Sequence, residues 1–63
     1  MKIDRFDKNG ERLKLGNIVR NTYTQEEFTV VFAEDILAFG IEDKRGHFEF
    51  MVEWVDSEWE VVA

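Results

Sequence analysis

"FTVVFAEDILAFGIEDKRGHFEFMV", residues 28–52, is the stretch that decides the fold. β-branched and aromatic residues alternate with short polar clusters along it. No window holds apolar residues at three- and four-residue spacing over several turns, so the period is that of a strand. Glu34-Asp35 reads as a two-residue turn, which sets Phe28 opposite Ile41, Val30 opposite Phe39 and Phe32 opposite Leu37. Asp43-Lys44-Arg45-Gly46 suits a type I turn, with Asp first and Gly last. It sets Ile41 opposite Phe48, Phe39 opposite Phe50 and Leu37 opposite Val52. The two turns agree on one core face for a three-stranded meander: Phe28, Val30, Phe32, Leu37, Phe39, Ile41, Phe48, Phe50 and Val52. The other face centres on Val31, Ala38 and Met51, with Glu49 and Glu53 beside them. Such a stripe is either covered by the remaining strands or is an apolar docking surface.

Toward the N-terminus lies "DKNGERLKLGNIVR", residues 7–20. Asn9-Gly10 is a strong hairpin signal, because both central positions of a type I′ turn need positive φ. Taken as a two-residue loop, it pairs Lys8 with Glu11, Asp7 with Arg12 and Phe6 with Leu13. Gly16-Asn17 then turns the chain into a strand from Ile18 toward Tyr23, ended by Gln25-Glu26-Glu27. Toward the C-terminus, "VDSEWEVVA" (55–63) holds a short turn at Asp56-Ser57, of 3₁₀ kind. A closing strand follows with Trp59 and Val61 pointing one way. The expectation is one all-β domain over residues 1–63, a five-stranded barrel of hairpin, meander and last strand. Closure would remove the exposed sheet edges.

"DKNGERLKLGNIV" near the start, with "WEVV" near the end, resembles the C-terminal region of the YopX family of phage and prophage proteins. In that family a DKNG turn precedes a GD-I-V strand start, and an acidic-aromatic EVI strand closes the domain. Here Asn17 stands at the Asp position, and the chain stops at Ala63 where relatives continue past a glycine. The resemblance implies an SH3-like barrel and a phage or mobile-element origin, but no particular activity.

Composition restricts function more than it reveals it. Among 63 residues there is no cysteine, hence no disulfide or thiolate metal site. The load falls on the apolar core and nine aromatics, because a chain this short buries only about 60% of its unfolded surface. No apolar run approaches the roughly 20 residues of a membrane span. The charged first residues do not read as a signal peptide, so a cytoplasmic location in the host cell is expected. Residues 1–20 hold six Lys/Arg against three Asp/Glu, whereas residues 21–63 hold two against eleven. The acidic majority disfavours direct nucleic-acid binding and suits either solubility or a basic protein partner.

Catalysis is not expected. His47 and Ser57 are each the only residue of their kind and carry no sign of an orienting group. No carboxylates fall in a calcium-loop spacing, and one histidine makes no zinc set, so neither metal nor cofactor is expected. A polyproline groove built from Tyr23, Trp54 and Trp59 lacks the acidic, tyrosine-rich loop such grooves use, and the tryptophans read as core or barrel-end plugs.

The carboxylates carry the sharper hypothesis. Glu58 and Glu60 have the i, i+2 spacing of about 6.6 Å along one strand face, comparable to backbone charges of a nucleic acid, and Glu49 with Glu53 repeats it with one gap. The meander places Glu26 and Glu27 at the same end as Glu42 and Asp43. Glu26, Glu27, Glu42, Asp43, Glu49, Glu53, Glu58 and Glu60 thus form the candidate acidic surface. Its expected partner is a nucleic-acid-processing enzyme with a basic cleft, blocked as anti-CRISPR or anti-restriction proteins block theirs. The alternative is an adaptor that docks through Val31, Ala38 and Met51.

Overall fold

Two loops of the same spacing set the register of this chain, Asp7-Lys8-Asn9-Gly10-Glu11 and Asp43-Lys44-Arg45-Gly46-His47. A computed structural model describes residues 3–63, and in it the two loops are built alike. Each Asp Oδ1 accepts the amide two residues on (Asn9 2.9 Å, Arg45 2.9 Å) and the amide four residues on (Glu11 2.8 Å, His47 2.9 Å). Each Asp carbonyl accepts the glycine amide, at 3.0 Å for Gly10 and 3.1 Å for Gly46. Both glycines have positive φ, +78° and +85°. This is a type I turn extended by one left-handed residue, which makes a three-residue loop with a bulge.

The consequence is a one-residue correction at both hairpins. Asn9 is not among the positive-φ residues, so no type I′ turn forms, and Phe6 pairs with Arg12 rather than Leu13. Asp7 stands opposite Glu11, its amide donating to the Glu11 carbonyl at 2.9 Å. Arg12 then lies over the Phe6 ring at 4.7 Å, while Leu13 and Asp7 turn inward and are buried. At the second hairpin the Asp43–Gly46 turn forms as expected, but the extra left-handed Gly46 moves the pairing by one. Glu42 meets Phe48, Ile41 meets Glu49 and Gly40 meets Phe50.

Five antiparallel strands result: β1 (Ile18–Asn21), β2 (Glu27–Ala33), β3 (Ala38–Glu42), β4 (Phe48–Phe50) and β5 (Trp59–Val61), with a 3₁₀ turn at Asp56–Glu58 before the last. Their order in the single sheet is β4-β3-β2-β1-β5, and the fold is the small all-β, barrel-like one expected. The hairpin contributes one isolated bridge and not a sheet strand. β4 and β5 are not paired with each other, so full closure is not reached. The hairpin covers the β5 edge instead: Lys8 N–H donates to the Trp59 carbonyl at 2.9 Å, and Val61 N–H to Asp7 Oδ2 at 3.0 Å.

Between β2 and β3 the loop is Glu34–Leu37, four residues rather than two. Val30 pairs with Ile41 and Phe32 with Phe39. A shift of two preserves the faces, so Val30 and Ile41 are buried as expected and Phe28 and Phe39 pack against them. The odd shift at β4 does not preserve them. Phe48 and Phe50 leave the core face, Val52 lies past the strand and is 80% exposed, and Met51 is buried with Ile3, Leu13 and Val19.

Leu37 is the other exception, 78% exposed at the loop's end with φ +50°. A left-handed conformation costs a branched residue about 1–2 kcal/mol. Its exposed side chain offsets little of that. Leu37→Gly is therefore expected to raise stability by about 0.5–1 kcal/mol after glycine's own entropy cost, which urea titration would measure.

Candidate functional site

Strand pairing delivers carboxylates to two separate places. At one end of the sheet Glu26, Glu27 and Asp43 line an open depression with Gln25, Lys44 and Arg45, and Glu42 joins Glu27 and Asp43 in the adjoining hollow. The four carboxylates of this end are therefore neighbours. Two of the four, Glu27 and Asp43, are answered by charge, whereas Glu26 and Glu42 make no ion pair among the described residues. Arg20 Nη2 lies 2.9 Å from Glu27 Oε2, a consequence of the Arg20–Glu27 pairing of β1 with β2. Asp43 is held by its own turn, and His47 Nδ1 lies 3.3 Å from its Oδ2, so the histidine pairs with Asp43 and not with Glu42. The His47 amide bond is the largest influence on the Asp43 carboxyl. With the Arg45 amide and the nearby His47 and Arg45 charges it outweighs the opposing pull of burial and lowers the pKa.

The second place lies on the inner side of the sheet, beyond β4. Glu49, Glu53 and Glu58 line an open depression of about 180 Å³ together with Ile41, Phe50, Trp54 and Trp59. Its aromatic part is rigidly built. Trp54 stacks on Trp59 at 4.8 Å between centroids and 13° between planes, and Phe28 meets Trp59 edge-on at 5.5 Å. The Trp54 indole N–H donates to the Phe6 carbonyl at 2.8 Å, which ties the pair to the N-terminal hairpin. Both tryptophans are half-buried, as plugs at this end of the core. Among the described residues, Glu49, Glu53 and Glu58 make no ion pair, whereas Glu27, Glu60 and Asp43 do.

The expected Glu58/Glu60 ladder does not exist. Glu58 ends the 3₁₀ turn rather than beginning the strand, and it lines the aromatic depression. Glu60 is on β5 opposite Arg20, with Lys8 Nζ at 3.6 Å. The apolar stripe changes as well. Val31 and Ala38 stay on the outer face, but Met51 is 5% exposed in the core, and the one-residue shift replaces it there with Phe48 and Phe50. These rings meet edge-on at 5.2 Å beside Gly40. The indole floor was the part missed from sequence. Its signal was the dipeptide Glu-Trp, present at 53–54 and again at 58–59 across the turn.

Among the described residues no group of three or more His, Cys, Asp or Glu side chains is arranged to hold a metal ion, and no helix is long and apolar enough to cross a membrane. Compared with known proteins, the chain matches no family model, no curated protein and no solved structure.

Proposed function

We propose that this protein is a non-catalytic binding module of phage or prophage origin, an acidic inhibitor that occupies the basic nucleic-acid-binding cleft of a host defence nuclease. The observation that carries the reading is the ring of Glu49, Glu53 and Glu58, without ion pairs among the described residues, around the stacked Trp54–Trp59 pair. Carboxylates that already have a cationic neighbour have less to offer a partner; these three remain available. Indole faces add attraction for Arg and Lys, by about 0.5–2 kcal/mol according to how far the cation is desolvated. The YopX-like DKNG and WEVV segments favour the phage origin.

The test is capture and inhibition. Wild type and a Glu49→Gln/Glu53→Gln/Glu58→Gln variant are immobilised and exposed to bacterial lysate at low and at high salt. Wild type is expected to hold a nucleic-acid-cleaving enzyme at low salt and to slow its cleavage. The variant's affinity should fall about tenfold or more, because charge pairs steer and tighten such contacts and salt screens them. Equal, salt-insensitive retention by both proteins would overturn the acidic reading.

That second outcome would favour an adaptor role for the outer face, where Phe50 is 56% exposed beside Val31 and Ala38. Phe50→Asp, not the charge variant, would then release the partner.

A further inference from the structure

The two edges of the sheet are treated differently. At β5 the hairpin backbone and the Asp7 carboxylate occupy outward-facing groups. At β4, among the described residues, no backbone group outside β3 bonds to Phe48, Glu49 or Phe50. Which groups face outward follows from the ladder. Asp43 N–H donates to the His47 carbonyl at 3.1 Å, and hydrogen-bonded pairs alternate along an antiparallel ribbon. Ile41–Glu49 is therefore the next bonded pair, and Phe48 and Phe50 turn their N–H and C=O outward. The strand has no lysine, proline or bulge; it is three residues long and its one charge, the inward-facing Glu49, guards the edge against apolar or acidic strands while leaving it open to a cationic one.

An incoming strand would bond to Phe48 and Phe50 and place one residue opposite Glu49 at a non-hydrogen-bonded position. There Cα atoms approach to about 4.5 Å and side chains meet most closely. A second copy of β4 is disfavoured at that site: the antiparallel register that overlaps all three residues sets Glu49 against Glu49. A cationic residue fits instead. It would project over the inner depression, toward Glu53, Glu58 and the Trp54–Trp59 pair. Its two neighbours would lie beside Phe48 and Phe50 on the outer face, where apolar side chains suit the paired rings.

We infer that the β4 edge accepts an extended segment of a partner protein by strand addition, reading an apolar–basic–apolar triplet, with the basic residue opposite Glu49. Backbone bonds supply affinity in this mode and alternate side chains supply specificity. The inference rests on the basic-partner reading for the charge of the central residue, and adds the way in which it is presented.

The probe is a capped peptide of alternating valine and lysine, titrated into the isotopically labelled protein. Solvent exchange of the Phe48 and Phe50 amides is expected to slow about tenfold or more at saturation. A valine–glutamate peptide should have no such effect, and Glu49→Lys, at an exposed position, should reverse the preference. N-methylation of the valines removes the donors of this register alone and should abolish the protection. Binding without protection, or equal binding by the N-methylated peptide, would overturn strand addition and leave the basic-partner reading standing. Absence of any shift at millimolar peptide would overturn it too. Protection of β4 together with undiminished nuclease capture by the triple glutamine variant would uphold strand addition and sink the inhibitor reading.

Discussion

Gly40→Ala is expected to lose about 3 kcal/mol of stability, and Gly40→Val to leave the chain largely unfolded. Gly40 is buried in the middle of β3, and a β-carbon there would run into the Glu49 backbone carbonyl and the Phe48 ring. The ring could move, but the carbonyl belongs to the Ile41–Glu49 pair that holds β4 to the sheet. Overpacking costs about 1–3 kcal/mol when neighbours can adjust, and backbone adjusts least. A domain of this size has in total only several kcal/mol to lose, at roughly 0.05–0.15 kcal/mol per residue. Urea titration of Gly40→Ala checks the magnitude. Adding Phe48→Ala should recover only part of the loss, because the carbonyl conflict persists. A Gly40→Ala protein within about 0.5 kcal/mol of wild type would contradict this account of β4 docking.

Asp7→Ala should cost about as much, through lost hydrogen bonds. The Asp7 carboxylate is 3% exposed and accepts three backbone amides, from Asn9, Glu11 and Val61. Hydrogen bonds to a charged group contribute about 1.5–3 kcal/mol, and removing the acceptor leaves donors without a partner. The Val61 bond also fastens the hairpin to β5, so its loss frees both that edge and the Leu13 that the hairpin carries into the core. Asp43 makes the same two bonds within its own loop but reaches no distant strand, and Asp43→Ala should therefore cost much less.

The acid limb tests the same group. Burial pushes the Asp7 carboxyl up, but the Val61, Glu11 and Asn9 amides, with the Lys8 charge, together bring it below its ordinary value of 3.8. The folded state thus favours the carboxylate. That contribution is complete above the unfolded pKa and is lost as pH falls through the lower, folded one. Stability of the wild type should decline below about pH 4. Asp7→Asn should be less stable at neutral pH and lose less on acidification, as thermal unfolding across that range would show.

The two aspartates also explain how far the sequence could be read. Alternation over residues 28–52, and again along Trp59–Val61, is a property of the local chain, and it sufficed for the all-β class, for Val30 and Ile41 in the core, and for Trp59 and Val61 on a common face. The β2–β3 loop is two residues longer than expected, yet Val30, Phe39 and Ile41 stay inward while Leu37 passes into the loop, since a strand's side chains repeat every second residue. The D-K-x-G loops shift their pairings by one, and beyond the second of them the side chains of Phe48, Phe50 and Met51 change face. Asn-Gly and Asp-Lys-Arg-Gly looked like different turns. The shared spacing from Asp to Gly and to the amide beyond was the better guide, because the Asp carboxylate selects the bulged loop.

Carboxylates at i and i+2 did not become a ladder, because a strand must continue through both, and the 3₁₀ turn ends at Glu58. By itself, then, the sequence determined what short-range sterics and periodicity control: strands, turns, the acid-rich surface and the aromatic payload. Tertiary structure decided which carboxylates are neutralised by a cation from another strand, that two tryptophans five positions apart stack beneath three glutamates, and that β4 keeps an open edge. Each of these depends on contacts between residues distant along the chain, and a single bulged residue in a turn is enough to redirect them.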